Sequence, residues 1–263
     1  MMLLIDSGNS RIKLGIVQDQ VEEGLPRLAT AALDNRDVPG VQAWLTALEQ
    51  PVTQAWGVNV AGAEQQQRIE RVLADHGIAI RWQRAQVRTG WLRNGYRQPE
   101  LLGADRWASM VGVVARMGGA GRPFVLACFG TATTIDIVDD QGLFQGGMIL
   151  PGPALMRHSL STGTAELPLV STASTLFPTD THAAIATGVA AAQAGAFARQ
   201  CHLALHQYGQ WPAMYACGGG WHDVEVETRR LVADLLPASD GSTNAIEFLS
   251  HPVLDGLAFM ASH

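Results

Sequence analysis

Cysteine is scarce in this chain: Cys128, Cys201 and Cys217 are the only three in 263 residues. They are scattered, with no C-x-x-C and no Cys/His spacing, so neither a disulfide framework nor a zinc site is suggested. Two of them fall in apolar strand ends and read as buried thiols rather than nucleophiles. Long apolar runs are missing too. No uninterrupted stretch approaches the roughly 20 residues of a membrane span, and Met1-Met2 leads straight into a strand pattern with no basic leader segment. The expectation is a cytoplasmic protein without a membrane segment. An excess of positive charge is also absent, since the formal net charge is -6 and the pI near 5.7. That balance argues against nonspecific nucleic-acid binding. What is there is 47% hydrophobic and 16% charged residues, the composition of a soluble globular chain, long enough for one large domain or two small ones.

The stretch Leu3-Leu4-Ile5-Asp6-Ser7-Gly8-Asn9-Ser10-Arg11-Ile12-Lys13-Leu14 organises the rest. An apolar run ends in a carboxylate, a Gly-Asn turn follows, and a run with period-two polarity returns, which reads as a tight β-hairpin. Its turn presents Asp6, the Gly8 amide, Asn9, Ser10 and Lys13 together. Amides and a Lys suit phosphate, and a carboxylate suits Mg²⁺. Gly-Asn turns with polar flanks also occur in hairpins that bind nothing, so this stretch alone leaves both readings open.

Alternating strand and helix patterns follow, with strands at 27–33, 55–60 and 78–82 and helices at 38–48 and 64–76, an α/β arrangement. Residues 84–100 have no period; four arginines, Trp91, Tyr96 and Gly/Pro punctuation suggest an ordered loop that either reaches a ligand or partner or merely connects. A helical pattern begins after Gly103-Ala104-Asp105-Arg106. There Asp105 is either a helix cap, the better reading from local sequence, or a general base with Arg106 holding an anionic group. Gly118-Gly119-Ala120-Gly121 is the clearest break. It precedes a second strand–turn–strand, Phe124-Val125-Leu126-Ala127-Cys128-Phe129-Gly130-Thr131-Ala132-Thr133-Thr134 through Val138, then a strand over 143–150 and a Pro-initiated helix after Pro151-Gly152-Pro153. An Ala-rich helix over 181–207 suits core or dimer packing. A strand at 213–217 runs into Gly218-Gly219-Gly220, where a side-chain-free turn would let a base or ribose approach the backbone, and helices at 224–235 and 252–260 finish the chain.

Taken in order, Asp6-x-Gly8-Asn9-Ser10 with Lys13, Gly103-x-Asp105-Arg106, Gly130-Thr131-Ala132 with Thr134 and Asp136, Gly146-Gly147 with Pro151-Gly152, and Gly218-Gly219 resemble the type III pantothenate kinase family, itself similar to a Bordetella accessory factor. The resemblance covers essentially the whole chain. It implies an α/β, actin-like fold of the acetate and sugar kinase/Hsp70/actin class, a duplicated ribonuclease H-like arrangement of two lobes with a central cleft, here divided at residues 1–118 and 119–263. It also implies a homodimer that uses ATP and Mg²⁺ to phosphorylate the terminal hydroxyl of pantothenate, the first step towards coenzyme A. On that resemblance Asp105 becomes the catalytic base. Asp6 holds the metal; Asp6, Gly8, Asn9, Ser10, Lys13, Gly130, Thr131, Gly218 and Gly219 bind nucleotide. Tyr96, Gly103, Ala104, Asp105 and Arg106 meet pantothenate, Arg106 by pairing with its carboxylate or by buttressing Asp105, and Thr181 reaches the substrate from the neighbouring subunit.

One position departs from the family pattern. Many members carry Asp two residues before the second Gly-Thr, where it binds a monovalent cation, K⁺ or NH₄⁺; here Cys128 stands there. A neutral thiol is a poor ligand for K⁺, so the expectation is ATP binding without a fixed K⁺ at that site. Two other readings stand beside this one: another actin-like small-molecule kinase, which the acceptor motif at Tyr96 and Gly103–Arg106 disfavours, and a non-enzymatic accessory protein, which has no need of a base beside a phosphate cradle.

Overall fold

In the computed structural model, residues 1–22, 25–48, 50–235 and 246–263 are described. They form two compact units, Met1–Ala120 with His251–His263, and Gly121–Ser250.

The first unit opens with the hairpin anticipated from sequence, β1 (Met2–Ser7) and β2 (Arg11–Glu22), paired antiparallel with Asp6 opposite Lys13 and Ser7 opposite Ile12. Strand β3 (Leu25–Asp34), helix α1 (Val38–Thr46), strand β4 (Gln54–Asn59), helix α2 (Ala63–Asp75) and strand β5 (Ala79–Trp82) follow. The sheet order is β3-β2-β1-β4-β5, antiparallel through β1 and parallel beyond it. Leu3, Leu4 and Ile5 are all buried because β1 is central and covered on both faces. Leu3, Ile5, Ile12 and Leu14 meet Val41 and Leu45 of α1 and Ile69 and Leu73 of α2. Each such fully buried side chain contributes about 1.5–3 kcal/mol. The aperiodic 84–100 segment contains a small hairpin, β6 (Arg88–Thr89) and β7 (Leu92–Asn94), and leads through a 3-10 turn (Pro99–Leu101) into α3 (Ala104–Arg116). Strands this short carry no readable period.

The second unit repeats the plan. Strands β8 (Phe124–Phe129), β9 (Ala132–Val138) and β10 (Leu143–Pro151) form an antiparallel meander, followed by α4 (Pro153–Gly163), the long α5 (Thr181–Tyr208), β11 (Ala213–Cys217), α6 (Trp221–Leu235) and β12 (Glu247–Phe248). The strands run β12-β11-β8-β9-β10, with β8, β11 and β12 parallel. Read from β10, this is the strand order of the first unit, so the short sequence echo between the hairpins reflects a duplicated topology. Helix α5 is capped at its start by Asp180, which accepts the Ala183 amide, and stopped by Gly209 at φ 68°. Its Phe197, Cys201 and Ala204 join Phe129, Trp211 and Trp221 in the core. Among the described residues no helix is long and apolar enough to cross a membrane.

The C-terminal helix α7 (Pro252–Ser262) belongs with the first unit, whereas the sequence reading assigned all of 119–263 to the second half. Two glycines explain this. A Cβ on Gly256 would lie 1.8 Å from the Ala108 carbonyl oxygen and one on Gly112 2.2 Å from that of Pro252, so α3 and α7 pack backbone to backbone.

Candidate functional site

The first turn is built by opposed demands on one carboxylate. Asp6, next to last in β1, is only 7% exposed and faces Lys13 across the hairpin with Nζ 3.5 Å from the carboxylate. Burial pushes the Asp6 carboxyl above its ordinary range; Lys13 pulls it partly back, and the charge of Asp105 pushes it up again. The turn itself closes through Gly8, whose amide donates to the Arg11 carbonyl at 2.9 Å, leaving Asn9 and Ser10 exposed. Asn35 clasps it from β3's end: its amide donates to Ser10 O at 3.2 Å and its side chain to Asn9 O. Gln65 in turn donates to Asn35 O at 2.6 Å. Asn35 was not singled out from sequence, where one polar residue after a strand carries no signal.

Asp105 lies in the first turn of α3, but it does not cap the helix. Gly103 is the N-cap residue, with no side-chain cap bond, and Asp105 Oδ1 instead accepts the Arg106 amide at 2.8 Å. The capping expectation is corrected accordingly. Gly103 also leaves room for the carboxylate to fold back, since a Cβ there would sit 2.8 Å from Asp105 Oδ1. Arg106 is buried, donates to the Tyr96 hydroxyl at 3.1 Å, and holds its guanidinium 5.8 Å from that ring's centre. Ala104 opens the helix between Gly103 and Asp105. Asp6, Lys13, Tyr96, Asp105 and Arg106 therefore all lie in the first unit, with Asp105 close enough for its charge to act on Asp6.

The second turn is built from backbone. Gly130 donates to Ala132 O at 3.1 Å, Gly152 donates to Thr131 O at 2.9 Å, and Gly220 donates to Phe129 O at 2.8 Å. A Cβ on Gly152 would stand 2.0 Å from Gly130 O, and one on Gly218, at φ 94°, 2.4 Å from Phe129 O. The glycine at 218 thus allows close approach to the protein's own backbone, and of the three glycines at 218–220 only Gly219 faces open space. The consequence is that the N-terminus of α4, just after Gly152, meets the exposed Thr131, while that of α6, just after Gly220, meets Phe129 two residues earlier, so both helix starts bring positive potential to this turn. Cys128, partly exposed, sits opposite Thr134 on β9 and Cys217 on β11.

Thr181 opens α5, is exposed, and lines a cavity of about 550 Å³ in the second unit with Met156, Leu160, Leu167, Ile185 and Val189. Among the described residues no cluster of three or more His, Cys, Asp or Glu forms a self-sufficient metal site.

A duplicated sheet with a turn at each central hairpin, one acid-bearing and one held by backbone, defines the actin-like class of fold. Solved structures agree on the fold: the chain is similar to a protein described as a 2-dehydro-3-deoxygalactonokinase from Sinorhizobium meliloti (TM-score 0.58, 12% identity, covering 100% of this chain and 98% of that one) and to a Baf family protein from Campylobacter jejuni (TM-score 0.55, 18% identity, covering 99% and 97%). Within that class the type III pantothenate kinase profile matches residues 2–202. The type III pantothenate kinases of Bordetella petrii and Bordetella bronchiseptica are 50% and 48% identical over 262 and 263 residues, spanning all of this chain and 97% and 98% of theirs. The chain belongs to the type III pantothenate kinase family.

Proposed function

We propose that this protein transfers the γ-phosphoryl group of ATP to the terminal hydroxyl of pantothenate, giving 4'-phosphopantothenate, the first step of coenzyme A biosynthesis. The observation that carries the reading is the placement of two carboxylates with unlike surroundings in the first unit: Asp6 buried against Lys13, and half-buried Asp105 beside Arg106 and Tyr96. Phosphoryl transfer asks the protein for positioning and charge neutralisation more than for covalent help.

Each residue's role follows from its setting. Asp105 accepts the hydroxyl proton as the nucleophile attacks, held in orientation by the Arg106 amide. Arg106 and Tyr96 form one preassembled pair suited to the pantothenate carboxylate and its neighbouring polar groups. The Gly8 turn with the side chains of Asn9, Ser10 and Lys13, and the Gly130-Thr131 turn with Gly218 and Gly219 nearby and the α4 N-terminus against it, offer polar side chains and positive potential to phosphate oxygens. The residues fit Mg²⁺: a buried carboxylate destabilised by desolvation and only partly offset by Lys13 favours an added cation, and Mg²⁺ is usually held by one or two carboxylates, waters and substrate phosphates. Asp6 would hold it, and when bound it would neutralise charge on the β- and γ-phosphates. Cys128 supplies no oxygen ligand for K⁺ or NH₄⁺, so the reading includes activity without a fixed monovalent cation there. The apolar cavity beside Thr181 supports a second copy of the chain packing over α4 and α5, bringing Thr181 to its partner's substrate. A cytoplasmic enzyme fits this substrate pair.

The test is a coupled assay with ATP, Mg²⁺ and pantothenate. Asp105→Asn is expected to lower kcat by about 10²–10⁴-fold, the usual contribution of a positioned base, while the surface change Glu64→Gln leaves it unaltered. Full activity of Asp105→Asn would remove Asp105 as the base.

A further inference from the structure

Away from both turns, α5 carries two histidines at i and i+4, His202 and His206, which the kinase reading does not use. Both are exposed, and their Nε2 atoms face each other 3.0 Å apart, with ring centres 4.4 Å apart and planes at 75°. At that spacing one ring must donate its single proton to the other, because two Nε2–H groups cannot share the gap. A metal ion can replace that proton once both rings turn their Nε2 lone pairs to one side of the line between them. With metal–imidazole bonds of about 2.0–2.1 Å, a 3.0 Å separation subtends roughly 91–97° at the metal. That is the angle of adjacent positions in an octahedral or tetragonal ion, and a tetrahedral ion requires the rings to open slightly.

From this geometry we infer that His202 and His206 form a two-point chelate for a borderline divalent transition-metal ion of the Ni²⁺, Cu²⁺ or Zn²⁺ type. Imidazole nitrogen selects these ions over Mg²⁺, which prefers oxygen and sheds water reluctantly. The location adds a second favourable contribution. The pair lies in the last two turns of α5, which ends at Tyr208, so a bound dication faces the negative end of a 28-residue helix. Since no third His, Cys, Asp or Glu completes a cluster among the described residues, water fills the remaining positions, and the site binds one ion per chain and remains open to exchange.

Equilibrium dialysis of the full-length, untagged protein against Ni²⁺, with Mg²⁺ in excess to occupy oxygen-ligand sites, tests the inference. One Ni²⁺ per chain is expected, reversed by EDTA, with affinity falling at least tenfold in His202→Gln and in His206→Gln and unchanged in His76→Gln. At Ni²⁺ well above its dissociation constant the melting temperature should rise by about 5 °C in the parent and not in either variant. No binding, or binding that survives both substitutions, would overturn the assignment. A rise in melting temperature that His76→Gln abolishes would do the same.

Discussion

The two units share one strand order, yet their central turns work by different means. In the first, side chains do the work: Asp6 and Lys13 face each other across the hairpin, and Asn35 clasps the turn from outside. In the second, the corresponding pair across the hairpin is Cys128 and Thr134, both neutral, and the turn is held by the backbones of Gly152, Gly218 and Gly220. A duplicated fold supplies equivalent positions without supplying equivalent chemistry. A charge-bearing turn suits a metal, whereas a turn beside helix N-termini suits phosphate oxygens.

The largest test of that difference is to neutralise each turn in kind. Asp6→Asn is expected to lower kcat for pantothenate phosphorylation by about 10³-fold, the scale of losing an electrostatic stabiliser of the transferring group, whereas Cys128→Ser should stay within a few-fold of the parent. The stability readout should run the other way. The folded Asp6 carboxyl titrates above its ordinary 3.8, so its ionised form is penalised by the fold, and stability declines as pH rises through that window. Asp6→Asn should therefore melt no lower than the parent at neutral pH even as activity collapses. Equal activity losses for Asp6→Asn and Cys128→Ser would break the distinction between the turns.

How much of this was legible in sequence follows from the range of the forces involved. The hairpins and the helix read over 181–207 could be found because each announces itself locally, by an apolar strand meeting a glycine turn or by a long alanine-rich run. Helix α7 could be read as a helix but not as part of the first unit, because that depends on Gly112 and Gly256 meeting across more than a hundred residues. The β6–β7 hairpin has strands too short to show a period. At the second turn, the sequence shows a glycine at 218 but not that its missing Cβ makes room for the Phe129 carbonyl, a contact between residues far apart in the chain. Asp105 was found by motif, and only its surroundings show that Gly103, not the aspartate, occupies the cap.

A backbone-built turn should be sensitive to added volume where a side-chain-built turn is not. Gly152→Ala and Gly218→Ala are each expected to destabilise the protein by about 1–3 kcal/mol, the usual cost of overpacking, read as a fall of several degrees in melting temperature. Gly195→Ala, in the middle of α5 with nothing within 4 Å of the added carbon, should instead stabilise by up to about 1 kcal/mol. Tolerance at 152 and 218 would mean that the second turn is not held by its backbone neighbours.

A smaller effect reports the charge of the first turn at a distance. His251, before α7, touches the Thr30 hydroxyl at 3.2 Å through Nε2, and its Nδ1 has no partner. Burial and, next, the charge of Lys13 hold its pKa below the ordinary 6.5. For a base depressed in the folded state, the unfolded chain binds the proton more readily. Stability is therefore full above about pH 6.5 and declines as pH falls below it towards the folded value. The melting temperature should drop by about 1–2 °C more from pH 7 to 5.5 in the parent than in His251→Gln. An unchanged slope would mean that burial and Lys13 together do not hold His251 below its ordinary range in the folded protein.

The smallest expected effect is a near absence of one. If the second turn works through helix N-termini, with the thiol of Cys128 at the position facing Thr134, activity in K⁺ should match activity in a bulky inert cation to within about twofold. The thiol gives K⁺ no hard oxygen, and the neighbours fixed by register, Thr134 and Cys217, bring no carboxylate to the position. Cys128→Asp would make the two turns alike in charge, and its activity should then rise with K⁺. Strong potassium activation of the parent would mean that the second turn recruits a cation through other oxygens, and the contrast between a charged and a neutral turn would fail at the position from which it was drawn.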